Sequence, residues 1–124
     1  MQLKSLLLLT IALVPLFAQP IQPKVTTVMA TLTVKEGITR DQFAKIMPTE
    51  VQDTVRLYLD GKITQWYARG DGKGVVFFLD CKTVDEAKAI LEKLPLIKAN
   101  FASFDYVTLG PLSPLRYLLT APAQ

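Results

Sequence analysis

Histidine is absent from this chain of 124 residues. Without it there is no Ser-His-Asp or Cys-His catalysis, no histidine-ligated metal and no proximal-histidine haem. Acid–base chemistry must fall to carboxylates, tyrosines, lysines or a thiol. Cysteine is almost as scarce. Cys81 stands alone and cannot form an internal disulfide, so an exported domain of this sequence must rely on its core, with a partner subunit as a further source of burial. Cys81 closes an apolar strand and reads as a buried thiol rather than a reactive one. Runs of one charge are missing too. The formal charge of +3 is scattered, with no basic tract of the kind that holds nucleic acid. The longest apolar run falls short of the roughly 20 residues that an ordinary transmembrane helix needs.

That run lies at the N-terminus. MQLK supplies a positive start, SLLLLTIALVPLF an apolar stretch with Pro15 near its end, and Ala18 a small residue before a cut. Residues 1–18 therefore read as a signal peptide. Leu16 stands where a small residue is preferred, and the alternative is an uncleaved anchor. No cysteine follows the run, which argues against a lipid anchor on cysteine. The expectation is a secreted or periplasmic protein, free of the membrane once the signal is removed. Loss of Lys4 takes the formal charge from +3 to +2. Residues 19–24 read as a linker, 25–112 as one domain, and 113–124 as an apolar, proline-punctuated tail that packs on a neighbouring subunit. A chain of this length holds one domain.

Within the domain, Val25–Val34 alternates as a strand, with Val28, Ala30, Leu32 and Val34 on one face. Thr39 and Gln42 match a capping box at the start of a helix. Its apolar stripe contains Phe43, Ile46, Met47, Val51, Val55 and Tyr58, with Pro48 inside it and Asp60-Gly61 at its end. Pro48 predicts either a kink or a restart of the helix. Lys62–Arg69 reads as a second strand, with Ile63, Gln65, Tyr67 and Arg69 on one face and Thr64, Trp66 and Ala68 on the other. GDGKG makes a hairpin turn into Val75–Cys81. It resembles a phosphate loop only loosely, because no Ser or Thr follows the lysine and no helix starts there. TVDE opens a second helix as a second capping box, and Pro95 stops it. Phe101–Leu109 is the fourth strand. The order βαββαβ is the ferredoxin-like split arrangement, an α+β fold. Two helices cover one face of a four-stranded antiparallel sheet. The other face, carrying Tyr67 with Phe104 or Tyr106, calls for a partner, and two such sheets face to face make a dimeric α+β barrel.

Glu50 is the anomaly of the first helix. The helical wheel places it between Ile46, Met47 and Val51, in the stripe that faces the sheet, with Thr54 one turn further along. A carboxylate there is costly unless it is paired or reaches a cavity, and desolvation raises its pKa toward that of a general base. The alternative is that Pro48 shifts the helical phase and leaves Glu50 in a solvated first turn, where it suits the helix dipole. Arg69 is a candidate partner for this carboxylate or for an anionic ligand, or a solvent-facing residue before a turn. Tyr58 and Tyr67 are candidate donors to a carbonyl or enolate oxygen, or core aromatics. Trp66 reads most simply as core, and as a ligand contact if a pocket forms. Asp105 is unfavourable in a strand unless it pairs with Lys98 or Lys62 or lies on an exposed edge.

The run LYLDGKITQWYARGDGKGVVFFLDCKTVDEAKAILEKLPLIKANFASFDYVTLGPL resembles the muconolactone isomerase-like proteins of the dimeric α+β barrel superfamily. The likeness spans roughly Met29 to Leu119, and its most specific part is the LPL bend followed by a strand ending in LGPL. It implies a homodimer or higher homo-oligomer, a small-molecule pocket between helix and sheet, and a cofactor-free and metal-free proton shift in an unsaturated lactone or related carbonyl acid. It also implies a carboxylate at the position of Glu50. This chain lacks the histidines of the isomerase's second strand and last segment, and it carries an export signal where the isomerase is cytosolic.

The expected roles follow. Glu50 removes a proton α to a carbonyl, Tyr58 and Tyr67 stabilise the enolate oxygen, Arg69 holds a ligand carboxylate, and Thr54 and Trp66 contact the ligand. Two other functions share the fold: a cofactor-independent monooxygenase of a small aromatic, and a non-catalytic ligand-binding module.

Overall fold

The computed structural model describes residues 23–112 and Leu119. The signal segment, most of the linker and nearly all of the C-terminal tail lie outside the described residues. Among the described residues seven elements follow in order: β1 (Thr27–Val34), α1 (Arg40–Leu59), β2 (Ile63–Ala68), β3 (Gly74–Leu79), α2 (Val84–Leu91), α3 (Pro95–Lys98) and β4 (Ala102–Leu109). The strands form one antiparallel sheet in the order β2-β3-β1-β4, so the α+β, ferredoxin-like arrangement holds. Among the described residues no helix is long and apolar enough to cross a membrane.

Local chemistry explains each boundary. The Thr39 hydroxyl accepts the Gln42 amide hydrogen at 3.2 Å, and the Gln42 side chain accepts from the Thr39 amide at 3.0 Å, the reciprocal pair of a capping box. α1 then runs through Pro48 as one helix of 20 residues. Pro48 is exposed, so the carbonyl deprived of its donor can turn to water. Gly61, at φ 76°, ends the helix: its amide donates to Tyr58 and that of Lys62 to Leu57, the paired bonds of a Schellman stop.

Two boundaries differ from expectation. The Thr83 hydroxyl caps α2 by accepting the Glu86 amide, but the Glu86 carboxylate turns to the amide of Lys82, so the second box is only half closed. Pro95 does not simply stop α2, which already ends at Leu91. It takes the first position of α3, where its missing donor costs nothing. Leu94 and Leu96, on either side, are both buried.

The core lies between the sheet and the helices. Val28, Ala30 and Leu32 of β1, Phe77 and Leu79 of β3, Ala102 of β4, and Ala87 and Leu91 of α2 are all buried in it. Alternation places Phe104 and Tyr106 on this covered face, opposite Leu32 and Ala30 in the β1–β4 register, and not on the open one. In β2 the register shifts between Ile63 and Gln65. This bulge puts Ile63, 1 % exposed, on the same face as Trp66, which corrects the strict alternation expected of the strand.

Candidate functional site

A cavity of about 260 Å³ opens between α1 and the sheet. Phe43, Met47, Glu50, Val51 and Thr54 of α1 form one wall. The opposite wall comes from Leu32, Trp66, Val75 and Phe77, with Gly72 and Gly74 at the hairpin end and Leu96 of α3 at the other margin. The α1 residues share a face because they recur at helical spacing, and Pro48 leaves that phase unchanged.

Glu50 is therefore buried, at 5 % exposure, and Thr54 equally so. They are the buried residues of α1. The Glu50 Oε2 accepts the backbone N–H of Leu96 at 2.8 Å, across 46 residues of chain. The bond ties α1 to the first turn of α3, where a carboxylate satisfies an amide that has no helical partner. The other oxygen, Oε1, accepts no hydrogen bond among the described residues. Burial pushes the Glu50 carboxyl above its ordinary range, the Leu96 amide works against that rise, and Asp53 adds to it. Thr54 donates its hydroxyl hydrogen to the Glu50 carbonyl at 2.8 Å and so spends its donor inside the helix.

Trp66 lines the cavity. Its ring lies 6.4 Å from that of Phe77 and stacks at 5.8 Å on Tyr58. Tyr58, 46 % exposed, braces Trp66 from outside the cavity lining. Tyr67 points to the opposite, open face of the sheet, edge-on to Phe78 at 6.2 Å. Arg69 shares that open face. Its Nη1 donates to the Thr33 hydroxyl at 2.7 Å and its Nη2 to Asp71 at 2.5 Å. The carboxyl of Asp71 lies below its ordinary range chiefly because it accepts the Lys73 amide, a bond that fixes the hairpin turn.

The structure thus brings Glu50, Thr54 and Trp66 together and places Tyr58 beside them. It separates Tyr67 and Arg69 from them by the thickness of the sheet. The residues not foreseen are Phe43, Met47, Phe77, Gly74 and above all the Leu96 amide. Phe43 and Met47 were visible in the apolar stripe. The Leu96 amide was not, because a backbone donor leaves no side-chain signature.

Elsewhere, Cys81 is buried, its thiol raised by burial and by the nearby Glu86 and Asp80 carboxylates, as befits a core position. The Tyr106 hydroxyl is buried without a partner among the described residues and is pushed up to about 12, mainly by burial. Asp105 sits exposed on edge strand β4. Among the described residues no three His, Cys, Asp or Glu side chains are grouped so as to hold a metal ion. No family model and no curated protein matches this sequence.

Proposed function

We propose that this chain is an exported, homodimeric small-molecule-pocket protein whose Glu50 moves a proton within an unsaturated lactone or related carbonyl compound, without a cofactor. The observation that carries the reading is a carboxylate buried in an apolar cavity, with one oxygen anchored by the Leu96 amide and the other unpaired among the described residues. Anchoring fixes the orientation of the group, and burial raises its affinity for a proton, the two properties that a base for carbon acids requires. In the proposed step Oε1 takes a proton from the carbon between the carbonyl and a β,γ double bond. The bonding electrons pass into a dienolate, and Glu50 returns the proton to the γ-carbon, leaving the α,β-unsaturated isomer. Atoms and charge balance without any co-reactant. Export rests on the charged start and apolar run of residues 1–18, and the dimer on the open sheet face.

A second reading, a binding module without turnover, is favoured by one observation. Tyr58 and Tyr67 lie outside the cavity lining, and Thr54 has already spent its hydroxyl hydrogen, so neither tyrosine expected to stabilise the enolate lines the cavity. α-Angelica lactone, an uncharged β,γ-unsaturated lactone, separates the two readings. Proton NMR in deuterated buffer should record isomerisation, with protium carried to the γ-carbon wherever return from Glu50 outpaces exchange with solvent. Glu50→Gln should lower the rate by about 100-fold or more, the usual scale of a positioned base. Saturable binding of the lactone, with isomerisation no faster than in buffer, would establish the module instead.

A further inference from the structure

The charges around the Glu50 cavity narrow what it can hold. Among the described lining residues, Glu50 is the only one with a charged side chain. Arg69, the expected partner for a ligand carboxylate, is on the other face of the sheet and already bonded to Thr33 and Asp71. An anion entering the cavity would lose its hydration beside a like charge and meet no cation, which is unfavourable on both counts.

An ammonium fares little better. Its charge would be drawn to Glu50, but it gives up a full hydration shell to enter otherwise apolar walls, and a buried ion pair often no more than breaks even against an uncharged match. A hydroxyl or similar group with a single donor matches Oε1 one to one. The rest of the wall is apolar and aromatic, with Trp66, Phe77 and Phe43 suited to a flat ring. An apolar cavity of about 150 Å³ takes a benzene ring, so the 260 Å³ here takes about ten heavy atoms.

We propose that the Glu50 cavity selects an uncharged, single-ring ligand of about ten heavy atoms that donates one hydrogen bond to Oε1, and that it excludes carboxylates. This rests on reading the cavity as the ligand site, but not on Glu50 acting as a base. The ligand class departs from the carbonyl acid implied by the family resemblance.

Three probes of matched shape test the inference on the full-length protein: p-cresol, p-toluate and p-methylbenzylamine. Affinity is read by calorimetry at neutral pH, and location by the NMR shift of the Trp66 indole N–H, the only tryptophan in the chain. The expected result is that p-cresol shifts the Trp66 signal and binds more tightly than either ion, about ten-fold or more over p-toluate, whose buried charge meets no cation. Glu50→Gln removes the charge and, with its one oxygen held by the Leu96 amide, turns an amide N–H toward the ligand, so it should shrink the deficit of p-toluate. Equal or tighter binding of p-toluate or of p-methylbenzylamine to the native protein overturns the uncharged class. A p-toluate deficit unchanged in Glu50→Gln overturns Glu50 as the selecting group. If no probe moves the Trp66 signal, the cavity is not the site and both proposals fall. If p-cresol binds as expected while the lactone is not isomerised, the ligand class stands and the proton shift fails.

Discussion

At the scale of the residue, Glu50 joins a stability question to a chemical one. Its folded carboxyl binds a proton more tightly than the same group in the unfolded chain, because burial opposes the charge more than the Leu96 amide supports it. The native state then binds more protons than the unfolded state in the window from the ordinary carboxylate value of 4.5 upward. Stability contributed by this group is complete below that window and is lost as pH rises through the folded pKa. Glu50→Gln keeps an oxygen for the Leu96 amide and removes the charge. Its melting temperature should exceed that of the native protein at pH 7, and the gain should fade as pH falls toward about 4, where the native carboxyl is neutral as well. Thermal melts across that range check it; a variant less stable at every pH would mean that the charged form is the favoured one. The wheel argument made Glu50 legible in the sequence because a carboxylate at an apolar phase is conspicuous. It could not choose between burial and a shifted phase, since that depended on whether α1 continued through Pro48, and the exposure of Pro48 is a tertiary fact.

The hairpin between β2 and β3 sets one end of the cavity, and here the element is the relevant unit. Gly74 starts β3 at φ 159°, beside Thr33 in the β1–β3 register, where an added Cβ would lie 1.9 Å from the Leu32 carbonyl oxygen. That atom belongs to the backbone of a central strand and cannot swing aside. Gly74→Ala must therefore push β3 away from β1 and open the cavity wall, at a cost of about 2–3 kcal/mol or more. Gly70, in the same turn, has open space around it and no positive φ, so Gly70→Ala should be neutral or slightly stabilising. Denaturant melts of the pair provide the comparison, and equal stabilities would contradict the close approach at Gly74. The turn itself was legible from GDGKG, as were the capping box of α1 and the glycine stop, because each is written in adjacent residues. The bulge near Thr64 was not. Its hydroxyl donates to the Phe78 carbonyl across the ladder at 3.1 Å, a bond to a residue 14 positions away. Reading β2 without the bulge still put Trp66 opposite Tyr67, which is right. It placed Ile63 on the wrong face, and Tyr67 and Arg69 were expected beside Glu50 although their face is the one that the helices leave open.

For the whole molecule the unresolved balance is between its two sheet faces. The helices cover one. The other carries Phe78, Met29 and Val107 side by side across three strands, with Tyr67 edge-on to Phe78. Val107 is 47 % exposed and Tyr67 56 %. The alternation of the strands made two-sided apolarity legible from sequence, and four antiparallel strands with such a face motivate the expected dimer. A second copy is the simplest occupant, because a two-fold axis through the sheet would set the same apolar row against itself. Such a dimer should show a melting temperature that rises with protein concentration, since association stabilises the folded state by mass action. Val107→Lys places a charge at a position already open to solvent in the single chain, so it should change the monomer's own stability by no more than about 0.5 kcal/mol. Buried in the paired sheets, the same ammonium would face an apolar surface and a second ammonium related by symmetry. The variant should sediment as a monomer, its melting temperature should no longer depend on concentration, and the Glu50 cavity on the far side of the sheet should bind p-cresol as before. A native protein that sediments as a monomer at tens of micromolar would remove the dimer from the account, and a dimer indifferent to Val107→Lys would move the interface to another surface. Either result leaves the cavity intact, because its described walls come from a single chain.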